Sequence, residues 1–157
     1  MFKNYKRNSM KKLILMFLIL YSCSNTTAPQ EQNEPNPLID STFTVKCIYV
    51  LDGDTWRFSF EDSIYSVRVL SIDCFETSIN DRLKSQASKA GIPEDSALAL
   101  GIKAKYLADS LLTGKMVTIV RDFNEYNLDV YNRLLRICYV GEIRYDSVIK
   151  ARGLDVK

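Results

Sequence analysis

From Phe43 onward, apolar residues recur in short runs with the two-residue alternation of strands. Phe43 to Leu51 is the first predicted strand and Thr55 to Phe60 the second, with an Asp-Gly turn suited to a tight hairpin between them. Trp56, Phe58 and Phe60 fall on one face of the second strand, which predicts core positions. Ile64 to Ile72 is the third strand. Tyr65, Val67, Val69 and Ser71 share one face, and Ile64, Ser66, Arg68, Leu70 and Ile72 the other. Both faces carry apolar groups, so this strand is expected to be covered on both sides. Residues 78–92 are polar and irregular and predict a long loop. The period then changes. Pro93, Glu94 and Asp95 suit a helix start, with proline in the first turn and acids at the positive end of the helix dipole. Ala97, Leu98, Leu100, Gly101, Ala104, Leu107, Ala108, Leu111 and Leu112 supply an apolar stripe, and Gly114 ends it. Met116 to Arg121 and Arg133 to Val140 are further strands joined by a loop. A short second helix is expected from Glu142 or Ile143 to Ala151, before Gly153.

Three strands, a helix and two more strands predict a mainly β protein with helices (α+β): a five-stranded barrel of OB-fold type, with one main helix and a short C-terminal helix. The stretch before it reads differently. A basic segment ends at Lys11-Lys12 and an apolar run, Leu13 to Tyr21, follows, far below the roughly 20 residues needed to span a bilayer. This is the layout of an export signal, and Met10 opens a more compact version of it. Leu20-Tyr21-Ser22-Cys23 resembles the bacterial lipoprotein signal, which implies a signal peptide over residues 1–22 and a lipid anchor on Cys23; an ordinary secretory signal is the alternative. Residues 23–41, rich in Asn, Gln, Pro and Thr, read as a flexible tether with a reach of roughly 20–25 Å. The folded domain is expected over residues 42–157, outside the cytoplasm.

Charge and cysteine content narrow the chemistry. The formal net charge of the 157-residue chain is +2, but five of its 21 Lys and Arg residues lie in the first 22, which hold no acid. The remainder carries 16 basic against 19 acidic residues, so nucleic-acid contact would rest on local cations or bound metal rather than on a general basic surface. After Cys23, three cysteines remain, an odd number that cannot pair completely within the chain. Cys47 and Cys138 sit in strand-like runs and read as small core residues, a Cys47–Cys138 bridge being the less favoured option. The chain has no histidine, which excludes histidine-based triads, metal sites and general bases.

Candidate chemistry concentrates at strand ends. Asp52-Gly53-Asp54-Thr55 opens the second strand, Asp73 and Glu76 follow the third, and Arg68 interrupts its apolar run. Carboxylates with nearby arginines suit metal-assisted cleavage of a phosphodiester. A hard cation on oxygen ligands neutralises the anionic substrate, arginine donates paired hydrogen bonds to phosphate, and without histidine a carboxylate is the natural base.

Three blocks extend this reading: Asp52-Gly53-Asp54-Thr55, the segment Arg68-Val-Leu-Ser-Ile-Asp73-Cys-Phe-Glu76-Thr77, and Asp129-Val-Tyr131-Asn-Arg133. Their order and spacing resemble the signature blocks of staphylococcal nuclease-like (thermonuclease) domains, over about Phe43 to Leu154. The resemblance implies an OB-fold endonuclease that is calcium-dependent and acts on single-stranded or frayed DNA and RNA. It implies Asp54, Asp73 and the Cys74 carbonyl as Ca2+ ligands, Glu76 as the residue that activates or orients water, Arg68 and Arg133 as phosphate-gripping catalytic arginines, and Tyr131 as a phosphate-side contact. Phe75 stands where the family generally has proline, Val130 where it commonly has lysine and Asn132 where it commonly has glycine. A monomer without an obligate protein partner, held to the membrane through Cys23, completes the expectation. The alternatives are a non-catalytic OB-type module binding oligonucleotide or protein, and an adhesion lipoprotein.

Overall fold

β1 (Thr42–Val50), β2 (Thr55–Phe60) and β3 (Ser63–Val69) follow one another as antiparallel neighbours in a computed structural model that describes Asn36 and residues 41–156. The expected export signal and Cys23 lie outside the described residues. β4 (Met116–Val120) returns to pair with β1, β5 (Leu134–Val140) pairs with β4, and a two-residue β6 (Ile143–Arg144) pairs with β5. β3 also pairs with β5 in parallel, Val67 opposite Leu134 and Val69 opposite Arg136, and this pairing closes β1–β5 into a barrel. The architecture is thus the expected α+β, OB-like one. β1 serves both halves: Thr42–Lys46 faces β4, and Cys47–Val50 faces β2. The register slips between Cys47 and Tyr49, a bulge that bends the strand from one half of the wall to the other.

The alternating positions fill the barrel. Val45, Cys47, Trp56, Phe58, Val67, Val117, Ile119, Leu134 and Cys138 are buried. Burial of a side chain such as Phe58 contributes about 1.5–3 kcal/mol. Phe60 packs against this core at its edge. Cys47, Cys74 and Cys138 are free thiols, so the Cys47–Cys138 bridge does not form.

The segment expected to be a loop, residues 78–92, instead contains helix α1 (Asp81–Ala90). Asn80 caps it, its side chain accepting the Leu83 N–H at 2.8 Å, and Gly91 ends it at φ 67°. Leu83 and Ala87, one turn apart, are buried with Phe75, Ala97 and Val156. The segment is otherwise polar, so its helicity depends on this docking rather than on a broad apolar stripe.

α2 (Glu94–Leu112) is the main helix, with Pro93 at its N-cap. Its buried face runs through Ala97, Gly101, Ala104 and Ala108 to Leu112. Small residues let its backbone lie close to what it covers. α3 (Tyr145–Ala151) follows β6 directly, so the expected second helix starts later than Glu142 or Ile143. β3 stops at Val69 rather than Ile72, because Ser71 takes a left-handed backbone, φ 70°, that ends the extended run. β5 begins at Leu134 rather than Arg133, after Asn132 at φ 58°, a conformation asparagine tolerates well. Among the described residues no helix is long and apolar enough to cross a membrane.

Candidate active site

The first acidic turn is fixed mainly by backbone contacts. The Asp54 N–H donates to Asp52 Oδ1 at 3.0 Å, the Leu51 N–H to the Thr55 carbonyl at 2.9 Å, and the Val69 N–H to the Asp54 carbonyl at 2.8 Å. The Tyr145 hydroxyl reaches from α3 to the Gly53 carbonyl at 2.7 Å. Gly53 is required here by proximity: a Cβ would sit 2.6 Å from Cys74 Sγ and 2.7 Å from the Ala104 Cβ on α2.

The second acidic turn leaves the end of β3. The Val156 N–H donates to the Asp73 carbonyl and the Asp73 N–H to Asp155 Oδ1, both at 2.7 Å. At Gly101 a Cβ would collide with the Glu76 carbonyl and stand 2.6 Å from that of Phe75, so α2 holds this turn by direct backbone approach. The Cys74 N–H donates to Asp54 Oδ2 at 2.7 Å, which stitches the two turns together.

Asp54 and Asp73 converge. Arg68 Nη1 lies 2.5 Å from Asp54 Oδ2, and Nη2 lies 3.0 Å from Asp73 Oδ1. One largely buried guanidinium therefore spans both carboxylates. Asp54 is 5% exposed. Burial, with the nearby Asp52 charge, pushes its carboxyl up to about 7 against the opposing pull of Arg68 and the Cys74 N–H.

Arg133 joins through a relay. Its Nη1 donates to Thr55 Oγ1 at 3.1 Å, and that hydroxyl donates to Asp54 Oδ1 at 3.0 Å. Arg133 Nε donates to Asp129 Oδ2 at 2.7 Å. Burial opposes ionisation of Asp129, but the Arg133 and Tyr131 N–H groups and the Arg133 guanidinium outweigh it and hold the carboxyl below its ordinary value. Tyr131 is exposed, with its ring centroid 5.4 Å from the Arg133 guanidinium carbon.

Glu76 is tied in from α1. Arg82 Nε lies 2.9 Å from Glu76 Oε1, and Arg82 Nη2 lies 2.9 Å from Asp73 Oδ1. Gln86, buried, bridges the turn: Oε1 accepts the Glu76 N–H at 2.9 Å, and Nε2 donates to the Cys74 carbonyl at 2.9 Å. This amide clamp restrains the turn at Phe75, where the chain lacks a proline. The Cys74 thiol faces inward, and burial raises its pKa well above the ordinary thiol value.

Arg68 thus touches Asp54 and Asp73 directly, Arg133 reaches Asp54 through Thr55, and Glu76 shares Arg82 with Asp73. Tyr131 stands outside, against Arg133. Among the described residues, no group of three or more His, Cys, Asp or Glu side chains is gathered to hold a metal. The donors that fit a hard cation are the two carboxylates that share Arg68 and the Cys74 carbonyl, all oxygen, with water and substrate needed to complete the shell. A cation there would offset the desolvation of the Asp54 carboxylate, which Arg68 already offsets in part.

The sequence reading missed Arg82 and Gln86, because both depend on α1. Asn80 as a cap, Leu83, Ala87 and Ala90 at helical spacing, and Gly91 as a stop were the available signal. Thr55 and Asp129 lay within the motifs, but their relay to Arg133 is tertiary. No protein-family model matches this chain, and no curated protein matches it.

Proposed function

We propose that this chain is an exported, calcium-dependent nuclease of staphylococcal nuclease type that hydrolyses phosphodiester bonds in single-stranded or frayed DNA and RNA. The observation that carries the reading is the convergence of Asp54 and Asp73 on one guanidinium, with Arg133 and Glu76 linked into the same network. The Asp54 and Asp73 carboxylates and the Cys74 carbonyl would hold the calcium ion, which when bound neutralises charge on the phosphodiester.

The remaining work falls to side chains of the chain. Arg68 and Arg133 donate to the non-bridging phosphate oxygens and stay protonated as charge gathers there. Asp129 holds Arg133 from behind. A Glu76 carboxylate oxygen orients the attacking water and takes its proton as the new O–P bond forms. The P–O bond to the departing sugar oxygen breaks, and that oxygen takes a proton from solvent. Tyr131 supplies an exposed ring beside the phosphate.

The second reading, a non-catalytic oligonucleotide-binding module, draws on one observation: protein donors already occupy every one of these carboxylates. The experiment that separates the two is degradation of single-stranded DNA by the purified protein, with calcium and with chelator, beside Glu76→Gln and Arg133→Ala. Calcium-dependent cleavage that falls about 100- to 1,000-fold in each variant is the expected result. Binding without cleavage by the wild-type protein would favour the module. Export and lipidation both rest on the N-terminal pattern: cell fractionation in a bacterial host tests the first, and fatty-acid labelling, which Cys23→Ser should abolish, tests the second.

A further inference from the structure

We infer that Arg82 is a tethered counter-cation that competes with calcium for the acidic site and so sets the calcium concentration at which the site fills. This inference rests on the function proposed above. Arg82 is the second residue of α1, outside the three motif blocks. It touches a candidate ligand and the candidate base together: Nη2 is 2.9 Å from Asp73 Oδ1, and Nε is 2.9 Å from Glu76 Oε1.

Three features make it exchangeable. Asp73 Oδ1 also receives Arg68 Nη2 at 3.0 Å, so two guanidiniums crowd one oxygen, and a third cation there is repelled by both. Arg68 is largely buried against Asp54, whereas the Arg82 side chain is 49% exposed. Arg82 can therefore turn into solvent while Leu83, Ala87 and Gln86 keep α1 docked. Its departure also frees Glu76 Oε1, one of the two carboxylate oxygens of the candidate base. A ligand that binds only where Arg82 has left is opposed by the free energy of the Arg82 contacts. Calcium entry and release of the base are then one event.

The test uses the full chain as wild type, Arg82→Gln and Arg82→Lys, with Lys84→Gln as a control on the same helix. Calcium half-saturation is measured by calorimetry at low salt, and melting temperature with and without calcium. Arg82→Gln should bind at about 3- to 10-fold lower calcium, as expected for loss of two partly exposed ion pairs. It should melt lower than wild type without calcium and gain more on calcium addition. Arg82→Lys should fall between, and Lys84→Gln should match wild type. Binding by Arg82→Gln where wild type shows none supports the same conclusion. Equal or weaker binding by Arg82→Gln, with wild type saturable, overturns the inference and leaves the nuclease reading standing. No saturable binding by either protein overturns both.

Discussion

At Asp54 and Asp129 the chain places two aspartates in opposite electrostatic situations. Burial raises the Asp54 carboxyl to about 7, above its ordinary value of 3.8, so between about pH 4 and pH 7 the folded chain holds a proton there that the unfolded chain has released. This group's contribution to stability therefore declines as pH rises through that window and levels off above it. Asp54→Asn should flatten that part of a metal-free melting profile between pH 4 and pH 8, which thermal denaturation checks. It should also remove stabilisation by calcium at pH 8, where the wild-type carboxylate is ionised. Asp129 is lowered, and its contribution is present above the ordinary aspartate pKa and lost as pH falls through its folded value. Asp129→Asn should therefore lower the melting temperature at pH 8 more than at low pH, which thermal denaturation checks, and weaken cleavage about tenfold through a misdirected Arg133, a change that kinetics on single-stranded DNA will detect.

Among the elements, α1 decides how Glu76 is presented. Asn80→Ala removes its cap and should cost about 1 kcal/mol, and Leu83→Ala removes a fully buried anchor and should cost about 2–5 kcal/mol, both measurable by denaturant unfolding. Gly101→Ala in α2 makes a sharper test. In an exposed helix interior this change would stabilise by about 1 kcal/mol. Here the added methyl meets the Phe75 and Glu76 carbonyls, so a lower melting temperature and reduced cleavage are expected. The strands were legible because alternation such as Trp56, Phe58, Phe60 is a local signal with a local cause. The ends of β3 and β5 were not, since left-handed residues at Ser71 and Asn132 end them rather than any loss of apolar character. α1 was hidden because two buried apolar residues in a polar segment acquire meaning only against Phe75, Ala97 and Val156. Of the site, the motif acids and arginines could be read in order. Their shared guanidinium, the Thr55 relay and the Gln86 clamp could not, because each needs partners brought together by folding.

For the whole molecule, barrel closure brings these distant pieces together. The parallel pairing of β3 with β5 sets Arg68 beside the strand that follows Arg133, and α3 sends Tyr145 to a carbonyl 92 residues earlier in the chain. Tyr145→Phe should cost about 1 kcal/mol in unfolding, as loss of a buried hydrogen bond does, and lower the calcium response along with it. The two acidic turns also rest on neighbouring positions of one helix, Gly53 against Ala104 and the Glu76 turn against Gly101. Van der Waals contact, unlike ion pairing, is indifferent to salt and to protonation. Mutual repulsion among ionised carboxylates can therefore rotate side chains without driving the two loops apart, and the gauge of the gap between them stays constant whichever cation fills it.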